Sequence, residues 1–322
     1  MSRSPYSVFG LMVLVFIVAF MVVGCADRVM APPPADGLAQ RVLVFPDEDG
    51  SWAPGDTMRG RFPTESSRVS IRDIGLFAFD PSDVVTVRPD IFVDGHFSLF
   101  DVVVHLHELG YIELEYHFND EMGTHVIDSI NGRPNWWYTA RYAAGWFENT
   151  VLRMDHYPWK DGTELRVTMM SESYLDRINR SYLDEMQRLA INNGQVIVPE
   201  VVISDPTGTK VFHEVAVTAY GVRSDVLQEG VITALDILLS LGEQGLLETV
   251  GLTWYDSIGR ADPVDNYFVE RIDDAEAFGG CGYVYEVGEQ AWSGHAGNHV
   301  HVATDVRVIV SPEYGLWFWL CL

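Results

Sequence analysis

The sequence predicts an α+β protein built from two similar modules joined by a helix. Three observations predict it. A capped helical segment occurs twice, each copy is followed by β-like runs ending in an aromatic strand, and a stretch of helical periodicity lies between the copies. One helix packed on a small mixed sheet is the α+β arrangement.

The helices carry the clearest repeat. Residues 98–110 (SLFDVVVHLHELG) match residues 233–245 (TALDILLSLGEQG), and self-similarity of this kind decides the architecture. Ser98 and Thr233 are N-cap residues, with Asp101 and Asp236 three places on as in a capping box. Phe100, Val103 and Val104 fall at i, i+3 and i+4, as do Leu235, Leu238 and Leu239. Gly110 and Gly245 stand where a left-handed C-cap is wanted.

The strands follow. Residues 125–131 (HVIDSIN) parallel 267–273 (YFVERID), and Trp136-Trp137-Tyr138 parallels Tyr283-Val284-Tyr285. A closing strand is expected at 163–167 and its counterpart at 304–308. Alternating or β-branched runs also predict strands at 84–93 and 215–222, with extra ones within 68–79 and 196–204. Between the modules, Leu175, Ile178, Tyr182, Met186 and Leu189 are helically spaced, up to Asn192-Asn193-Gly194. The expected organisation is module one at 68–172, a connecting helix at 173–195 and module two at 196–322.

The N-terminus reads as a targeting segment. After Arg3, residues 8–23 carry no charge and end in Val22-Val23-Gly24-Cys25. The run is short for a membrane span, which needs about 20 apolar residues, and suits a signal peptide. Its end resembles the lipobox of bacterial lipoproteins, which implies cleavage after residue 24 and a diacylglycerol on the Cys25 thiol. Residues 25–67, with Pro32-Pro33-Pro34, are then expected to tether the folded part to the membrane.

Cleavage would leave 20 basic residues against 46 acidic ones, moving the formal charge from −25 to −26. Such a surface repels nucleic-acid phosphates, so nucleic-acid binding is excluded. A hydrophobic content of 48% predicts a folded chain. Besides Cys25 there are only Cys281 and Cys321. In an exported protein they are either a disulfide or two free thiols, since spacing does not show contact.

The succession of "TALD" helix, "YFVERI" strand, "YVY" strand and "DVRV" segment resembles the C-terminal β-grasp domain of transcobalamin and intrinsic factor. The resemblance is clearest over 213–311 and weaker over 84–171. It departs from the family where Glu286-Val287-Gly288-Glu289 replaces the usual Asn-Gly turn. It implies two tandem β-grasp-like modules, and cobalamin or another corrinoid as the named ligand. The helical barrel that holds the other face of the vitamin in those carriers has no counterpart here.

No nucleophile elbow, phosphate loop or zinc-protease motif occurs, so no catalytic residue is assigned and an enzyme is not expected. No metal site is assigned either. His105 and His107, two apart on a helix, point in different directions and read as surface histidines. His295, His299 and His301 are closer to a ligand set, without an identifiable acidic orienting partner. Gly279-Gly280-Cys281-Gly282 reads as a turn. The ligand-binding candidates are Trp136, Tyr138, Trp146, Tyr283, Tyr285, Trp292 and His295. Aromatic faces stack on flat ligands and anchor protein interfaces, although core packing is the commoner use. The apolar tail at 316–320 reads as a buried closing strand or a docking patch.

The expected function is a lipid-anchored, extracytoplasmic, non-catalytic binding protein of the bacterial envelope. Its partners are the membrane, through the lipid, and a small ligand such as a corrinoid. The alternative is a structural or adhesive role in which the modules dock to an envelope protein. Ligand capture predicts a concave aromatic pocket between the modules, and docking predicts exposed apolar surface.

Overall fold

A computed structural model describes residues 41–44, 68–142, 148–160, 162–257 and 263–321. The lipobox, Cys25 and Trp146 lie outside these residues. Among the described residues the fold is α+β, with three α-helices among several small sheets. Among the described residues, no helix is long and apolar enough to cross a membrane.

The first strand, β1 (Arg41–Val44), lies in the segment expected to be a tether and belongs to a sheet of the second module. Module one contains β2 (Arg68–Ile71), β3 (Gly75–Ala78), α1 (Leu99–Glu108), β4 (Leu114–Asn119), β5 (Thr124–Ile130), β6 (Trp136–Tyr142), β7 (Glu148–Asn149) and β8 (Thr163–Met169). Its main sheet has the order β3-β2-β8-β6-β7, and β2 runs parallel to β8 at the centre. β4 and β5 form a separate two-stranded sheet.

Helix α1 starts at the predicted capping box. Ser98 Oγ accepts from Asp101 N at 3.2 Å, and Asp101 Oδ2 accepts from Ser98 N at 2.6 Å. The consecutive Val102, Val103 and Val104 are weak helix formers, because β-branching restricts their rotamers. All three are buried, so packing outweighs that preference. They lie in one core with Val69, Tyr138, Leu165 and Val167 of the main sheet and Leu114 and Ile130 of the hairpin. Apolar neighbours on both sides explain why this helix is apolar around most of its circumference.

A helix, α2 (Glu172–Ile191), leads to module two. Ser171 caps it, and Ile178 and Tyr182 are its buried apolar residues, in line with the predicted periodicity. Module two contains β9 (Val196–Asp205), β10 (Gly208–Val217), α3 (Ala234–Glu243), β11 (Val250–Ser257), β12 (Pro263–Ile272), β13 (Ala275–Glu276), β14 (Cys281–Gly288) and β15 (Tyr314–Cys321). The main sheet is ordered β10-β9-β15-β14, with β9 parallel to β15, repeating the scheme of module one. A second sheet is ordered β1-β11-β12-β13.

The internal repeat extends to single hydrogen bonds. Leu99 N donates to Tyr157 O at 2.9 Å, and Ala234 N donates to Arg307 O at 2.9 Å. The modules meet where Phe92 bridges Leu227, each at the matching place in its own module. Ile91, Phe92, Val226, Leu227 and Val308 form a small core there. Pairing of equivalent residues is what a local pseudo-twofold axis produces.

Several expectations are corrected. Residues 304–308 are not a strand; they match the segment around Tyr157, and the closing strand of module two is β15 at the tail. Residues 84–93 contain no strand, and the strand expected at 215–222 ends at Val217. Both stretches turn toward the helix N-cap, where Asp101 and Asp236 accept their backbone N–H groups. His105 is buried and not a surface histidine.

Candidate functional site

Each module has a buried ion pair that holds a β-hairpin. In module one, fully buried Asp155 accepts from Arg88 Nη1 at 2.8 Å, Thr124 Oγ1 at 2.5 Å and His125 N at 2.9 Å. In module two, Asp305 accepts from Arg223 Nη1, Asn266 Nδ2 and Tyr267 N, each at 2.9 Å. Arg88 also points Nη1 at Gly123 O, and Arg223 donates from Nη1 to Asp265 O at 3.1 Å. Each arginine therefore ties a hairpin to the core. Burial acts to raise the Asp155 carboxyl, but His125, His156 and Arg88 overcome it and hold the group well below the usual range. Burial pushes the neighbouring His156 imidazole down to about 3, so it is neutral at pH 7.

The hairpin pinned in module one presents aromatic surface. Glu115, Tyr116, His117 and Phe118 of β4 are all exposed, Tyr116 at 36% and Phe118 at 43%. Beneath them, Tyr116 meets Phe100 edge-on at 5.3 Å, and Phe118 meets His125 edge-on at 5.0 Å. Arg88 lies 5.4 Å from the Phe118 ring centroid, and His117 Nδ1 is 2.9 Å from Asp128 Oδ2. Two aromatics thus stand on a base held by a buried charge pair. Rigid aromatics partly open to solvent are the usual anchors of protein interfaces.

The seam between the modules is polar and tight. Arg153 pairs with Glu185, and Arg188 pairs with Glu289. Burial and the nearby Glu185 push the Glu289 carboxyl up to about 8, against the pull of Arg188. Arg307 Nη1 donates to Asn298 O at 2.7 Å. Arg153, Glu185, Glu289, Asn298 and Arg307 line a cavity of about 30 Å³ with Tyr182. That is room for roughly one or two water molecules, whereas small-molecule sites run to about 300–1,000 Å³.

The predicted ligand-binding residues do not converge on one surface. Trp136 and Tyr138 are buried in the core of module one, where the Tyr138 hydroxyl donates to Leu152 O at 2.5 Å. Tyr285 is buried in module two and donates to Val302 O, the matching bond. Trp292 is buried against the connecting helix, with the Arg177 guanidinium 4.3 Å from its ring centroid and Tyr174 edge-on at 5.4 Å. Tyr283 is half-buried and donates to Asp205 at 2.9 Å. Of the described candidates His295 alone is well exposed, with its ring centroid 5.3 Å from that of His299. His299 in turn lies 5.8 Å from His301 and has Glu286 Oε1 at 3.8 Å.

A disulfide joins Cys281 to Cys321, ending the β14–β15 pair. The tail forms β15: Trp317 is fully buried, while Phe318 is half-buried and Leu320 is exposed. Sequence reasoning missed Tyr116 and Phe118. Their signal was the run Leu114-Glu115-Tyr116-His117-Phe118-Asn119, which alternates charged or polar groups with aromatics.

The chain matches no known protein family, no curated protein and no solved structure.

Proposed function

We propose that this chain is a non-catalytic docking protein of the bacterial envelope, held outside the membrane by a lipid on Cys25. In this reading its two modules are tandem β-grasp-like domains that present rigid surface to a protein partner. The repeated sheet order, with the first and last strands parallel at the centre and one helix across the face, supports the β-grasp description. One contrast carries the docking reading. The aromatics suited to line a ligand pocket (Trp136, Tyr138, Tyr285 and Trp292) are committed to the interior, whereas Tyr116 and Phe118 face outward.

Three experiments test it. Cys25→Ser should abolish fatty-acid labelling and release the protein from membranes; retained labelling would refute the anchor. A photo-crosslinking residue at Phe118 in intact cells should give a discrete protein adduct, with none from the same residue at exposed Val211. In parallel, cobalamin and cobinamide titrations followed by tryptophan fluorescence should be flat. Saturable corrinoid binding without a Phe118 adduct would overturn docking in favour of ligand capture.

A further inference from the structure

The two hairpins differ at the outer edge of their first strand. Along β11–β12, Val250 pairs with Ile272 and Gly251 with Arg271, then the register shifts and Leu252 pairs with Val269. Along β4–β5, Leu114 pairs with Ile130 and Glu115 with Ser129, then the register shifts and Tyr116 pairs with Ile127. Over residues 114–119 and 250–255 the two registers match, including this bulge. On the outer edge of β11, β1 adds an antiparallel strand, with Val44 opposite Val250, Leu43 opposite Gly251, Val42 opposite Leu252 and Arg41 opposite Thr253. On the outer edge of β4, no strand pairs among the described residues.

An unpaired strand edge offers a row of backbone donors and acceptors to another chain, and natural edges are usually blunted by Lys, Pro or cover. β4 has neither Lys nor Pro, and it is exposed from Glu115 to Phe118; its first amide, Leu114 N, donates to His107 Nδ1 at 3.2 Å, and the groups beyond it form the open edge. The equivalent edge accepts a short extended segment of β-branched and apolar residues, Arg-Val-Leu-Val. The side chains differ in an informative way. Where β11 has Gly251, whose Cα lies so close to Arg271 that an added Cβ would meet Arg271 Cβ at 2.9 Å, β4 has Glu115. Glu115 Oε2 accepts from Ser129 Oγ at 2.8 Å and lies on an exposed strand. A residue taking the place of Leu43 on β4 would therefore face a carboxylate, and its neighbours would face Tyr116 and Leu114.

Resting on the docking reading above, we infer that the outer edge of β4 is a strand-addition site for an extended segment of a partner protein. That segment runs antiparallel to β4 and carries a basic residue opposite Glu115, flanked by apolar residues opposite Leu114 and Tyr116. Main-chain bonds supply affinity and the alternate side chains supply selectivity, as in other β-augmentation interfaces. The net charge of −25 favours a basic segment in the same direction.

The test uses the full lipidated chain in detergent and two six-residue peptides. One has the sequence of residues 40–45 with Lys in place of Leu43, and the other has Glu there. Hydrogen exchange of the backbone amides is followed segment by segment. The Lys peptide should bind saturably and slow exchange across residues 114–119, with the Glu peptide weaker by about five- to tenfold. Glu115→Lys, a change on an exposed strand, should invert that preference. Unprotected 114–119 at high peptide concentration would overturn the inference, as would protection confined to 250–257, which marks exchange with β1. Protection that grows with protein concentration in the absence of peptide would overturn it too, since a second copy would then be the occupant. A Phe118 adduct with unprotected β4 amides removes the edge site and leaves docking intact. Protected amides without an adduct keep the edge site and remove the Phe118 face.

Discussion

Replacing Asp155 by Asn tests whether the buried charge pairs hold the hairpins. The substitution keeps the shape and removes the charge. Arg88, with its side chain 9% exposed, then keeps Asp90 as its remaining carboxylate partner, and the Asp90 side chain is 62% exposed. Solvent screens that remaining pair, so most of the compensation for the buried guanidinium is lost. Breaking one side of a buried ion pair costs roughly 3–5 kcal/mol. Hydrogen bonds to charged groups give a similar scale, about 1.5–3 kcal/mol each, and Asn Oδ1 still accepts some of them. The expected loss is therefore about 3–4 kcal/mol, read as a lower urea midpoint at unchanged m-value. Amides of residues 122–126 should lose protection first, because Thr124 and His125 bond directly to Asp155. Asp305→Asn should cost a similar amount, since Arg223, Asn266 Nδ2 and Tyr267 N converge on it in the same way. A loss below about 1 kcal/mol for Asp155→Asn would refute the reasoning, as exposed pairs show that much.

Two further predictions concern the same frame. His156 is buried with its pKa lowered from 6.5 to about 3, so the unfolded chain binds a proton in that window and the folded chain does not. Its stabilisation is complete above pH 6.5 and lost as pH falls toward 3; between pH 7 and 5 the loss is about 2 kcal/mol. Urea curves at the two pH values should show it, and His156→Gln should flatten the difference; an unchanged slope in that variant would place the titration elsewhere. The disulfide closes a separation of 40 residues, so the double variant Cys281→Ser, Cys321→Ser should lose up to about 4 kcal/mol by loop entropy. Reducing agent should lower the melting temperature of the native protein and leave the double variant unmoved; equal responses would show that the bond contributes nothing.

Much of the architecture was legible in the chain. The capping boxes at Ser98–Asp101 and Thr233–Asp236 are local devices whose partners lie three residues apart, so sequence identifies them directly. The helix at Glu172–Ile191 followed from its spacing for the same reason. The segment at 304–308 was misread because it is β-branched, and local preference does not reveal that its backbone instead crosses the N-terminus of α3. The strands at 84–93 failed likewise, since their hydrogen bonds go to Asp101, a partner distant in sequence.

The candidate site was less legible. An aromatic on a strand is core or surface according to which face the helix covers, and composition is the same in both cases. Trp136 and Tyr138 lie inside the core, whereas Tyr116 and Phe118 stand at its open margin, Tyr116 against Phe100 of α1. By itself the sequence determined the repeat, the helices and their caps, because those rest on contacts within a few residues. Only the tertiary structure decided which edge β1 covers, which cysteines meet, and which aromatics see solvent, because each depends on the approach of segments far apart in the chain.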